Sequence, residues 1–427
     1  MPAELVQPNG WILLPFVLLL GAIALGPVAF PNWWHKYYPH VSWGLGAITL
    51  CYYLLELQAT AEVGRVAHEY VSFIVLVGSL FVVAGGIHIT VKGEASPAAN
   101  VLFLFVGAIA ANVLGTTGAS MLLLGPWIRM NRYRITEYHI VFFIFIISNI
   151  GGCLTPVGDP PLFLGYLQGV PFWWVTQHCW PMWLLGMGFL LGLFYMLDLR
   201  NYRRAPDRVR TELAGPAERW RFEGLWNVVW LLVILGAIFI SHPLFLREGI
   251  MLAAALASYF TTSKQVHTAN HFTFYPIQEV AILFSGIFAT MMPALDWLEL
   301  KAPQWGTPSP PLFYWATGGL SSCLDNAPTY LSFLSAAHGA FGPSSEQASR
   351  LPLENAAFAH CLLAISISSV FFGAATYIGN GPNFMVKAIA HQQKAKCPSF
   401  LKFVTHYTLP YLAPLLVLLW LIFFRTA

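Results

Sequence analysis

Charge is what this chain of 427 residues has least of: 10% of its residues are Asp, Glu, Lys or Arg, against roughly 25% in a soluble domain. With 57% of residues hydrophobic, that scarcity excludes a soluble enzyme, a nucleic-acid binder and a disordered scaffold, and it describes a membrane protein. A balance of 22 Lys/Arg against 19 Asp/Glu is too even for a polyanionic partner. Cysteine is scarce as well. Cys51, Cys153, Cys179, Cys323, Cys361 and Cys397 show no CxxC spacing, so neither a disulfide framework nor a zinc site is implied. Walker, Rossmann and metal-ligand motifs are missing, which argues against a pump or a redox enzyme; the lack of an arginine ladder argues against a voltage sensor. No basic n-region precedes the first apolar run, which reads as a retained helix.

What the chain does have is apolar runs of about 20 residues, enough to cross about 30 Å of hydrocarbon. Spans are expected near 11–30, 42–60, 67–89, 136–155, 172–197, 222–242, 248–262, 276–295, 356–374 and 404–426. Two stretches, 98–128 and 311–340, are broken by TTGAS (116–120) and LDNAP (324–328), and each reads as a re-entrant hairpin. Runs 159–170 and 380–391 are too short to cross and follow Gly/Pro breaks, so they read as second halves of discontinuous helices. With the N-terminus outside, the inside segments hold 17 of the 22 basic residues. The outside segments keep Arg65, Arg247, Lys301, Arg350 and Arg425. The first hairpin then enters from the cytoplasm and the second from outside, and the arginine-rich loop 200–223 faces anionic headgroups.

The chain repeats itself. A shift of 208 lays VGSLF (77–81) on SGIFA (285–289) and TGA (117–119) on DNA (325–327); a shift of 221 lays Gly152, Thr155, Gly158 and Pro161 on Gly373, Thr376, Gly379 and Pro382. Because the two halves enter from opposite faces, the expected fold is an all-α polytopic membrane protein with an inverted-topology repeat, two re-entrant hairpins and two discontinuous helices. Its expected division is N-terminal scaffold helices 1–66, repeat 1 over 67–197 (hairpin 98–128, broken helix 136–170), a basic cytoplasmic loop 198–224, scaffold helices 225–275, and repeat 2 over 276–427 (hairpin 311–340, broken helix 356–391). Such a repeat is the sign of an alternating-access transporter with its site at the midplane. It disfavours a passive channel or a non-transporting subunit.

The breaks carry the chemistry. In GDPP, Gly158 frees the backbone, Asp159 suits an N-cap and Pro160 suits the first helical position. Asn380 and Pro382 play similar parts without the charge. Each break exposes carbonyls for a cation and amides for an anion. Asp325 lies in an apolar stretch, where an ionised carboxylate costs about 2.5 to 3.5 kcal/mol, so a cation or a proton should offset it. The plainer readings are that Asp159 only caps a helix and that Asp325 only forms a turn. Thr116 and Thr117 offer oxygens at the matching tip. Asn149, with Ser148, Ser366, Ser368 and Ser369, stands just before the breaks, although helix packing accounts for each one taken alone. Glu56, Glu69, His88, His139, His178 and His360 read as helix-end residues.

SNIGGCLTPVGDPP (148–161), SSCLDNAPTYL (321–331) and GAATYIGNGPNF (373–384) resemble the ion transporter superfamily over nearly the whole chain. That family includes bacterial D-type sodium/proton antiporters, arsenite and silicate effluxers, citrate/metal transporters and dicarboxylate/sodium symporters. The resemblance implies a homodimer in which a transport domain moves against a scaffold. It also implies ion-binding hairpin tips at Thr116, Thr117, Asp325 and Asn326, and helix breaks at Thr155, Gly158, Asp159, Thr376, Gly379 and Asn380. The symporters' paired Ser-Asn-Thr tips are missing here, which weighs against dicarboxylates. The expectation is a sodium/proton antiporter of the bacterial inner membrane, with Asp159 and Asp325 binding sodium in competition with protons. It is not expected to be an enzyme or to hold a cofactor; its partners are membrane lipid and a small ion or molecule, not nucleic acid. The alternative is a sodium- or proton-coupled carrier of citrate-like carboxylates or an oxyanion.

Overall fold

A backbone in hydrocarbon has only itself to bond to, so an uncharged apolar run closes into a helix. The computed structural model describes residues 7–90, 96–204, 221–240, 242–270, 272–306, 309–342 and 351–425. Its main helices are α1 (Leu14–Ala29), α2 (Pro31–Cys51), α3 (Thr60–Gly85), α4 (Pro97–Met130), α5 (Glu137–Ile146), α6 (Pro160–Leu167), α7 (Phe172–Arg204) and α8 (Asn227–Ala237). They continue with α9 (Leu246–Thr261), α10 (Tyr275–Lys301), α11 (Pro310–Cys323), α12 (Asn326–Phe341), α13 (Ala356–Gly373), α14 (Gly381–Gln392) and α15 (Phe400–Phe424). Proline opens α2, α6 and α11 from their first position, where a missing N–H costs nothing. Two short strands, β1 (His88–Thr90) and β2 (Arg221–Glu223), pair antiparallel with Ile89 opposite Phe222.

Seven helices among the described residues are long and apolar enough to cross a membrane. Leu18, Leu184, Leu232 and Phe260 are each more than half exposed on α1, α7, α8 and α9, a surface that suits lipid. By contrast α5 buries every residue from His139 to Ile146 and is apolar on all sides, as an interior helix must be. The chain is an all-α polytopic membrane protein. The helix that covers the second expected span starts earlier than hydropathy places it, at Pro31 instead of 42. Its opening turns are aromatic, with Trp34 and Tyr38 buried, and a hydropathy count undervalues such half-polar rings.

Although α4 runs for 34 residues, it folds back on itself at Gly115, whose φ of 73° and ψ of 154° interrupt the helix. A straight helix would separate Asn100 from Asn131 by about 46 Å. Instead their side chains hydrogen-bond at 2.8 Å, and Phe103 stacks on Trp127 at 5.5 Å between centroids. The second hairpin is α11 and α12 with a break at Leu324 and Asp325; Phe313 meets Phe333 across it at 6.1 Å. After each hairpin comes a helix, a break and a half-helix: α5 then α6, and α13 then α14.

The ends of the helices sort into two groups. At one end, β1 pairs with β2, Arg129 donates to the Ile89 carbonyl (3.0 Å), and Lys402 meets Glu137 (2.7 Å). At the other, Gln168 donates to Glu69 (2.9 Å), Tyr166 to the Ile238 carbonyl (3.0 Å) and Trp174 to the Pro352 carbonyl (3.3 Å). The first group holds only segments expected inside, the second only segments expected outside. Most of the basic loop 198–224, over 205–220, and Arg350 lie outside the described residues. Where hairpin α4 meets α7, Asp198 is fully buried and accepts from Arg134, Tyr138 (2.9 Å) and Asn100 (2.9 Å), which pins the base of the hairpin.

Candidate functional site

Asp159 takes the N-cap position of α6 but makes no capping hydrogen bond there. Its carboxylate, 1% exposed, reaches across the molecule instead. One oxygen accepts from the Thr116 hydroxyl (2.8 Å) and the Asn380 amide (3.0 Å), the other from the Asn326 amide (2.7 Å). Four segments therefore converge on one charge: both hairpin tips and both helix breaks. Every donor to it is neutral.

The convergence is held by backbone geometry that repeats. The Thr116 N–H donates to the Gly158 carbonyl (2.8 Å), as the Asn326 N–H donates to that of Gly379 (3.1 Å). Thr155 accepts from the Gly158 N–H and donates to the Asn112 carbonyl (2.6 Å); Thr376 accepts from the Gly379 N–H and donates to that of Ser322 (2.8 Å). Glycine is required at these crossings. A Cβ on Gly158 would lie 2.0 Å from the Gly152 oxygen, and one on Gly379 would lie 2.6 Å from that of Gly373. These bonds pair Thr116 with Asn326, a shift of 210, whereas the shift of 208 set Thr117 against Asp325. That alignment rested on a single shared alanine at the tips, which cannot fix a register that main-chain bonds decide.

Asn149 joins the two breaks, donating to Asn383 (2.7 Å) and accepting from Asn380 (3.1 Å). Asn383 and Asn112, which the sequence alone does not single out, join the same hydrogen-bonded network. Asn383 also donates to the Gly373 and Thr376 carbonyls, and Asn112 to the Gly151 carbonyl (2.7 Å) while accepting from the Leu154 N–H (2.9 Å). The available signal for Asn383 was its place one helical turn after Asn380; for Asn112 it was an amide inside an apolar limb.

Two expected residues stand apart. Asp325 caps α12, accepting from the Ala327 N–H (3.0 Å), and is half-buried within Coulombic reach of Asp159 without bonding to its group. Thr117 lines a narrow cavity of about 20 Å³ with Gly115, Thr116, Pro156, Gly158 and Phe163. That volume holds about one water or bare ion. Beside Asp159, the Asn326 side-chain oxygen is buried with no partner. The side chains of Ser368 and Ser369 bond within their own helix and that of Ser148 bonds Ser120, which is packing, while the Ser148 carbonyl accepts from the Asn380 amide (3.1 Å). Glu69, His88 and His360 likewise have structural partners in Arg65, Asn270 and the Phe423 carbonyl. Among the described residues no group of three His, Cys, Asp or Glu could hold a metal ion.

A family model described as "Putative citrate transport" matches residues 6–424. No curated protein matches the chain.

Proposed function

The chain belongs to that citrate transport family, and from this premise we propose that it is a cation-coupled secondary transporter, working by alternating access and exchanging sodium for protons at Asp159. The observation that carries this reading is the single buried carboxylate bonded only to neutral donors from both hairpins and both breaks. A charge so placed needs a positive occupant. A proton and a sodium ion exclude each other on one carboxylate, and the unpartnered Asn326 oxygen with the Thr116 hydroxyl supplies neutral ligands for the ion. Exposing the site alternately to the two faces then exchanges one for the other without a separate coupling device. Asp325, next in sequence to Asn326, is the second sodium ligand in this reading.

The adjoining cavity of about 20 Å³ suits a bare ion and is too small for citrate. The family's description favours a second reading, in which the same cation site drives a citrate-like carboxylate that enters a more open state. In either case the protein works as a homodimer in the bacterial inner membrane with its N-terminus outside, the two hairpins and broken helices moving against scaffold helices 1–66 and 225–275. Proton flux in proteoliposomes under sodium, lithium, potassium and citrate gradients tests the proposal. Sodium-driven proton efflux without citrate supports exchange. Proton or sodium movement only when citrate is present would give the lead to the second reading, and no flux under any gradient would refute both.

A further inference from the structure

Away from the buried carboxylate, the end of the molecule that gathers β1, β2 and Arg129 holds an open pocket of about 380 Å³. It is lined by Ile135, Thr136, Glu137, Lys394, Lys396 and Tyr407, from the start of α5 and, far from it in sequence, the turn after α14 and α15. Each lining group has a local reason to be there. Thr136 caps α5, its carbonyl accepting from the His139 N–H (3.1 Å), which leaves the amides of Glu137 and Tyr138 as the ones without a partner inside the helix. Lys394 takes a left-handed φ of 58° where α14 stops, its N–H bonding back to the His391 carbonyl. Glu137 is the one acidic group on the wall, and it is already engaged by the Lys402 ammonium (2.7 Å) and the Tyr407 hydroxyl (3.1 Å).

The charge left over is positive. The side chains of Lys394 and Lys396 make no hydrogen bond or ion pair among the described residues, and they face a cavity at a helix N-terminus, an arrangement that attracts negative oxygen. Lys387, on α14, is occupied elsewhere, over the Tyr377 ring at 4.4 Å. Leu401, next to Lys402, is 71% exposed, so the rim adjoins a surface suited to lipid. We propose that this pocket binds an oxyanion, a phosphate or carboxylate group held between Lys394, Lys396 and the first amides of α5. Its occupant would bridge both segments that lead to the Asp159 site, α5 on one repeat and α14 on the other, to the C-terminal helix.

The test uses the full chain and the variant Lys394→Gln/Lys396→Gln. Neither side chain supports the fold, and Lys264→Gln, outside the pocket, is the control. Inorganic pyrophosphate is titrated calorimetrically into protein in neutral detergent. In parallel, thermal unfolding is followed in phosphatidylcholine nanodiscs with and without phosphatidylglycerol. A unit charge about 4 Å from an ammonium in water contributes about a fivefold factor, so losing both weakens binding about 25-fold. Pyrophosphate binding lost in the double variant and kept in Lys264→Gln identifies a free anion as the ligand; protection by phosphatidylglycerol alone, lost in the same variant, identifies a lipid headgroup. Binding must persist in Asp159→Asn, which separates this pocket from the transport site. If the double variant matches the unmodified protein with both probes, or if the unmodified protein binds neither, the proposal is wrong.

Discussion

Replacing Asp159 by asparagine removes one charge and changes little else, which makes it the sharpest probe of the site. Three donors now point at that carboxylate, from Thr116, Asn326 and Asn380. A hydrogen bond to a charged group exceeds a neutral one by about 1 kcal/mol, so the variant loses about 3 kcal/mol of bonding. It is also relieved of a charge that costs about 2.5 to 3.5 kcal/mol to hold in apolar surroundings. The two effects nearly cancel. The new amide would set a donor against a donor, but the Asn326 side chain has an unpartnered oxygen and can turn to accept. Folding should therefore survive, with a thermal midpoint within a few degrees of the unmodified protein. Cation binding should not survive, because a carboxylate about 4 Å from a sodium ion contributes about 4 kcal/mol at an effective dielectric of 20, about a thousandfold in affinity. Thermal unfolding in detergent and sodium-dependent pH change in proteoliposomes measure the two halves. Sodium-driven exchange with a half-saturation moved less than tenfold, in well-folded protein, would refute the reasoning.

Asp325→Asn keeps the cap on α12 and should leave stability unchanged, whereas Asp325→Ala should lose about 1 kcal/mol; exchange retained in the first with an unchanged pH profile assigns Asp325 to the turn alone. Gly158→Ala forces a Cβ to within 2.0 Å of the Gly152 oxygen, so transport should fall below detection even where the protein is still made, and normal flux would contradict the close approach described. Asp198→Leu takes away the only carboxylate bonded to the buried Arg134 among the described residues, leaving it the Tyr133 hydroxyl and the Tyr133 and Tyr202 rings, and should cost about 3 kcal/mol, read as a lowered unfolding midpoint. Arg134→Met in the same chain should recover most of it, because two apolar groups replace a buried charge that has lost its counter-ion. Single cysteines at Arg204 and Leu244 on a cysteine-free background should react with an impermeant reagent from opposite faces, and labelling of both from one face would overturn the expected sidedness.

Much of the centre was legible in the sequence because it is built from local rules. GDPP marks a helix restart wherever it stands, and the counterpart Gly379, Asn380 and Pro382 shows up by its spacing alone. What the sequence could not give was direction. Nothing in the order of residues says that Asp159 leaves its own cap to meet Thr116, Asn326 and Asn380, or that Asn383 crosses to Asn149, since these contacts join segments about 40 to 230 residues apart. Arg134 looked topogenic and His139 looked like an interfacial helix end. Burial decides otherwise, placing both against Asp198, which the sequence reading assigned to the basic loop 198–224 but which lies inside α7. The aromatic start of α2 was missed for a different reason, since residue-by-residue hydropathy does not credit the apolar body of a tryptophan.

The reversal at Gly115 bears on how a chain like this can be mapped by reporters. With both hairpins re-entrant, as the sequence leads one to expect, a count that takes α4 for a crossing puts every later segment on the wrong face until the second hairpin, where the same mistake is made again. Two errors of parity cancel, and the C-terminus returns to its proper side. A tag there would agree with the right topology and with the wrong one alike. Only a tag between residues 131 and 309 distinguishes them, and the β1–β2 pairing supplies the internal reference, since it holds Arg221–Glu223 to the same face as His88–Thr90, upstream of the first reversal.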